Sequence, residues 1–133
     1  MDQDETKLMT LTYLANIIVA GTVGFISLFF NTHANKFILS EKKVTTTNSS
    51  YICGSFWIAI TILSLFGLFR PYKFSAVFVV QLIYKGLFLI IRFIPGYLKG
   101  ELRNDNIIKM SIFFIVWVIW LPFIIPWGYL FYN

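Results

Sequence analysis

Residues 8–30 read LMTLTYLANIIVAGTVGFISLFF, 23 positions without a charge. At 1.5 Å of rise per residue, a helix of that length crosses the ~30 Å hydrocarbon core of a bilayer. The composition points the same way: of 133 residues 58% are apolar, 20% aromatic and 13% charged, whereas soluble domains run at about 45–50% apolar and about 25% charged. Lys and Arg number 11 against 6 Asp and Glu. That basic excess is modest and sits in short loops, where it orients a membrane protein rather than gripping nucleic acid. The residues before the run, MDQDETK, are acidic where a secretory signal is basic, and the run is longer than a signal's apolar region. It is expected to be a retained span.

Three further runs follow. The stretch 37–50 carries Glu41, Lys42, Lys43 and the polar sequence TTTNSS, which marks a loop and offers an N-cap to a second span over 51–69. Arg70, Pro71, Tyr72 and Lys73 then form a tight turn, because proline disfavours helix at the residue before it and has no amide hydrogen to give. A third span over 74–94 is expected to stop at Pro95 and Gly96, and a polar segment over 99–109 leads to a fourth over 107–129. No repeat and no long linker divides the chain. The expected fold is all-α, a single four-transmembrane-helix bundle over residues 1–133.

Lys7, Arg70 and Lys73 fall on one side of such a bundle, and Lys36, Lys42, Lys43, Lys99, Arg103 and Lys109 on the other, three against six. The richer side is expected to be cytoplasmic, which leaves both termini extracytoplasmic. Asn48, Ser49 and Ser50 match a glycosylation acceptor pattern, but this orientation keeps them inside and they read as ordinary loop chemistry.

The third span holds the residue with the most to explain. Lys85 lies about twelve residues into it, at a depth where a cation costs roughly 2.5–3.5 kcal/mol or more. On a wheel of 100° per residue, Gln81 lies about 40° and Arg92 about 20° from Lys85, so the three form one polar stripe. Such a stripe is expected to face the bundle interior or a partner. No Asp or Glu lies in any span, which leaves an uncharged amine, a wet cavity or an anionic ligand as ways to accommodate Lys85. A purely structural lysine, snorkelling or donating to carbonyls and amides between helices, is the alternative. Arg92, near the span end, is expected to snorkel to the cytoplasmic boundary.

On the first span Thr12, Asn16, Ala20, Val23 and Ser27 share one narrow face, an interface face from which Asn16 is expected to reach Gln81 or Lys85. Gly54, Trp57, Thr61 and Ser64 give the second span a weaker one. Pro122 and Pro126 are expected to kink the fourth span, freeing the carbonyls of Val118 and Pro122. Trp127 and Tyr129, with Tyr132, read as an interfacial aromatic belt, while Trp117 and Trp120 lie deeper.

The sequence lacks the parts of most catalysts. One cysteine, Cys53, and one histidine, His33, build neither a disulfide nor a metal site within the chain, and no carboxylate pair, nucleophile–histidine pair or phosphate-binding glycine loop is present. No metal and no cofactor is expected, and a Schiff-base lysine is the only covalent chemistry left open. In size and span count the chain resembles the small multidrug transporters, but where their first span carries a glutamate this one offers only Asn16. No residue role is carried over from them.

The expected function is that of a small multi-pass membrane protein with an accessory, structural or partner-binding role, in contact with the lipid bilayer and with another membrane protein or a second copy of itself. The alternative is an oligomeric transporter or channel module that passes an anion or polar solute along Lys85, Gln81 and Asn16. A membrane enzyme acting on a lipid or quinone is a weaker third.

Overall fold

The computed structural model describes residues 3–30, 48–101 and 105–132. The basic positions Lys36, Lys42, Lys43 and Arg103, with Glu41 and His33, lie outside the described residues. Every regular element among the described residues is helical: α1 (Gln3–Phe29), α2 (Asn48–Phe69), α3 (Ala76–Leu98), α4 (Asp105–Ile124) and α5 (Trp127–Phe131).

Three helices, α1, α2 and α3, are long and apolar enough to cross a membrane; the apolar part of α4, Ile108–Ile124, is shorter. The fourth span, expected over 107–129 with a kink at its prolines, is instead divided into α4 and α5. Pro122 is carried inside α4, but the chain breaks at Pro126, which takes φ −79° and ψ 76°. Pro126 has no amide hydrogen for the Pro122 carbonyl, and the amide of Trp127 bonds instead to the Ile125 carbonyl at 2.9 Å, a turn too tight for a helix.

The other boundaries also move for local reasons. Asn48, Ser49 and Ser50, expected in a loop, form the first turn of α2, where Ser50 is buried and its hydroxyl donates to the carbonyl of Ser27 in α1. Phe74 and Ser75 stay in the turn, whose last residue is fixed by a bond of 2.7 Å from the Ser75 hydroxyl to the Tyr72 carbonyl. Most informative is the end of α3. It was expected to stop at Pro95, yet it runs on to Leu98 through a π-helical segment, Leu89–Phe93. A proline in a helix lacks one donor and crowds the carbonyl four residues back. The wide turn before Pro95, where the Ile94 amide reaches back five residues to Leu89, makes the room that lets the helix continue.

The helices pack as two pairs. α1 and α2 meet on glycines: a Cβ added to Gly24 would lie 3.1 Å from the Gly54 carbonyl oxygen, and one on Gly54 would lie 3.2 Å from that of Gly24. At Gly67 a Cβ would run into the ring of Tyr13. α3 packs on α4, and Tyr13 ties the pairs together, stacking on Phe78 with ring centres 4.5 Å apart and donating its hydroxyl to the Pro71 carbonyl at 2.6 Å. From α4 the Trp120 indole donates to the Thr12 hydroxyl of α1 at 3.1 Å. Met9, Tyr13, Phe78, Leu121 and Ile124 fill the end of the bundle nearest the α2–α3 turn. Midway along α1 the two pairs part around a cavity of about 230 Å³.

Candidate functional site

Lys85 lines that cavity. It is 5% exposed, and its ammonium donates to the Gln81 side-chain oxygen at 2.7 Å, one helical turn back on α3. The remaining neighbours are aromatic faces: Nζ stands 5.0 Å from the ring centre of Tyr84, 5.7 Å from that of Phe114 and 4.8 Å from that of Trp117. Each such contact is worth about 0.5–2 kcal/mol, the larger values when water is excluded. Among the described residues no carboxylate comes within ion-pair distance of Lys85; the ion pair found there joins Lys7 to Asp4. The charge is thus soothed by rings and one amide and has no counter-ion among the described residues.

Gln81 is 1% exposed. Because its oxygen accepts from Lys85, its nitrogen points elsewhere, and that Nε2 finds no acceptor among the described residues. A buried donor left without a partner costs on the order of 1–3 kcal/mol. The sequence places Gln81 and Lys85 on one face because they are four residues apart in an otherwise apolar helix, and the structure turns that face inward with Val77, Phe78 and Leu89.

Asn16 lines the same cavity from α1. Its amide does not reach Gln81 or Lys85, as the sequence reading anticipated, but donates to the Ser64 hydroxyl of α2 at 3.3 Å. The glycine-mediated approach of α1 to α2 brings Ser64 within its reach. So Asn16, Gln81 and Lys85 share a chamber without forming one hydrogen-bonded network.

The chain matches no family model, no curated protein and no solved structure.

Arg92 is exposed and lies off the inner face. A uniform 100° wheel puts it beside Lys85, but the π-helical turn takes more residues per turn, so the buried line passes from Lys85 to Leu89 and on to Gly96 and leaves Arg92 outside. Trp127 and Tyr129 are also exposed, on a wide groove at the other end of the bundle that includes Lys7, Arg70 and Lys73. The Trp127 indole donates to the Pro122 carbonyl at 2.9 Å and so fills the vacancy that Pro126 leaves. Tyr129 packs edge-on against Tyr72, whose hydroxyl donates to the Glu5 carboxylate at 3.0 Å.

The aromatic wall around Lys85 was only partly visible beforehand. The sequence marks Trp117 only as a deep tryptophan and does not single out Tyr84 or Phe114. The signal was there: Tyr84 adjoins Lys85, and Phe114 and Trp117 are three apart, hence on one face of α4.

Proposed function

We propose that the chain is a four-span integral membrane protein that binds, and in an assembled form moves, a small ligand held in the chamber beside Lys85. The observation that carries this reading is a buried ammonium on a cavity wall with no carboxylate among the described residues to answer it. A residue kept at such a cost asks for a partner that the described residues do not supply.

Membrane insertion is supported by the outer faces. Leu11, Ile18 and Phe25 on α1, Ile83 and Ile90 on α3, and Ile112, Val116, Ile119 and Phe123 on α4 are all exposed, and water would not tolerate so continuous a surface. The fourth span in this proposal is α4 together with the turn at Pro126 and α5. That both termini are extracytoplasmic rests on the sequence count, with Lys7, Arg70 and Lys73 at the end that holds the termini against six basic residues at the other. An accessory role rests on the same apolar faces, for which lipid alone accounts.

Lys85→Met separates a ligand-binding lysine from structural glue. Methionine fills a similar volume and removes the buried charge, a gain that offsets the Gln81 oxygen it leaves without a donor. The expected result is a variant that melts in detergent within a few degrees of the parent. A large fall in melting temperature would make Lys85 structural and end the proposal. Orientation is tested by Ser49→Cys in a Cys53→Ser background: an impermeant thiol reagent applied to intact cells is expected to leave it unlabelled, and labelling reverses the topology.

A further inference from the structure

The chamber is specific enough in its chemistry to name a ligand class. Lys85 Nζ carries three N–H groups and spends one on Gln81. Gln81 Nε2 carries two more, is buried, and has no acceptor among the described residues. A positive charge beside unspent donors is complementary to an anion with two acceptor oxygens, and an ion is stable in such surroundings only when paired. The rest of the wall is apolar, with Val19, Val23, Trp57, Phe113 and Trp117 among its residues. An inorganic anion would be stripped of water against those side chains, and a neutral hydrocarbon would leave the N–H groups idle. Size narrows the class again. An apolar cavity of about 150 Å³ takes one benzene, so a chamber of about 230 Å³ holds a body of that size together with a carboxylate.

We infer that the chamber binds a monocarboxylate with an apolar body, its two oxygens on Lys85 Nζ and Gln81 Nε2 and its body against Trp57 and Trp117. This rests on the proposed reading of the chamber as a ligand site, and adds the ligand's charge and shape. The same chemistry reaches the chamber from two sources, as a small aromatic acid from water or as an acyl chain from the bilayer.

The test uses the full chain in lipid nanodiscs, with binding followed by tryptophan fluorescence, since Trp57 and Trp117 line the chamber. Benzoate, decanoate, benzyl alcohol, decanol and chloride are titrated separately. The carboxylates are expected to bind at least about tenfold more tightly than the matching alcohols, the gain of a charge-assisted bond. Benzoate binding more tightly than decanoate assigns the aqueous source, and the reverse order the bilayer. Lys85→Met is expected to erase the preference for acid over alcohol, and Gln81→Leu to weaken the acids several-fold while leaving the alcohols unchanged. If Lys85→Met does not fold, Lys85 is structural and the ligand site falls with it. Alcohols binding as tightly as acids would overturn the carboxylate assignment and leave the chamber standing, as would saturation by chloride at equal concentration. Failure of all four organic probes to bind would remove the chamber as a ligand site altogether.

Discussion

Gly24 of α1 and Gly54 of α2 touch backbone to backbone, each so placed that a methyl group on it would press against the other's carbonyl oxygen at 3.1–3.2 Å. Lipid tails give apolar helices no hydrophobic reason to associate, so close backbone packing is what holds such a pair. Gly54→Ala is expected to push the helices apart by a few tenths of an ångström, and Gly54→Leu to destabilise the protein by about 1–3 kcal/mol or more. Gly86→Ala is the control: a Cβ there meets nothing within 4 Å. In mid-helix that change is expected to stabilise by about 0.4–1 kcal/mol. Thermal unfolding in detergent reads all three, and equal effects at positions 54 and 86 would refute the close approach.

Tyr13 and Gly67 make a second pair of this kind, with a polar element added. Tyr13→Phe removes the donor to the Pro71 carbonyl and is expected to cost about 0.5–1.5 kcal/mol. Gly67→Ala forces a methyl into the ring and is expected to cost more. Because the clash needs both partners, Tyr13→Ala with Gly67→Ala is expected to be more stable than the sum of the two single changes, by about 0.5–3 kcal/mol. Strict additivity in a double-mutant cycle would rule the contact out.

Trp127 offers a test at the same end of the bundle. Its indole takes the carbonyl that Pro126 cannot serve, so Trp127→Phe keeps the aromatic bulk and loses the bond. The bond is exposed, and a loss of no more than about 1 kcal/mol is expected. Restoring the backbone donor with Pro126→Ala is expected to join α4 to α5 and make Trp127→Phe neutral in that background. An undiminished effect of Trp127→Phe there would show that the indole serves something other than the vacant carbonyl.

How far the sequence could be read depended on whether one residue or two decide a feature. The apolar runs of α1, α2 and α3 and the inward face of Gln81 and Lys85 follow from local spacing, and they were legible. The partner of Asn16 was not, because it is chosen by the approach of α1 to α2 at Gly24 and Gly54, a relationship between distant residues. The aromatic wall at Lys85 joins α3 to α4 and was half seen for the same reason. The position of Arg92 failed differently: a wheel of constant period cannot register a wide turn, although Pro95 was present to suggest one. The break after α4 was foreshadowed by two prolines, yet nothing local distinguishes Pro122, which the helix absorbs, from Pro126, which ends it.

Arg92 and Pro95 allow that last kind of failure to be examined directly. If the wide turn exists to accommodate Pro95, then Pro95→Ala supplies the missing amide and removes the crowded ring, and a regular helix becomes available from Ala76 to Leu98. The register beyond Leu89 then returns to 100° per residue, which brings position 92 back toward the face of Lys85. In the parent, Arg92 is exposed. A cysteine introduced by Arg92→Cys in the Cys53→Ser background is therefore expected to react readily with a thiol reagent, and to react several-fold more slowly once Pro95→Ala is added. With Arg92 retained, Pro95→Ala is expected to destabilise, because the rotation carries a guanidinium toward a buried ammonium, and like charges repel strongly where the dielectric is low. A Pro95→Ala protein that is more stable than the parent and leaves position 92 equally reactive would mean that packing against α4, and not the proline, sets the wide turn.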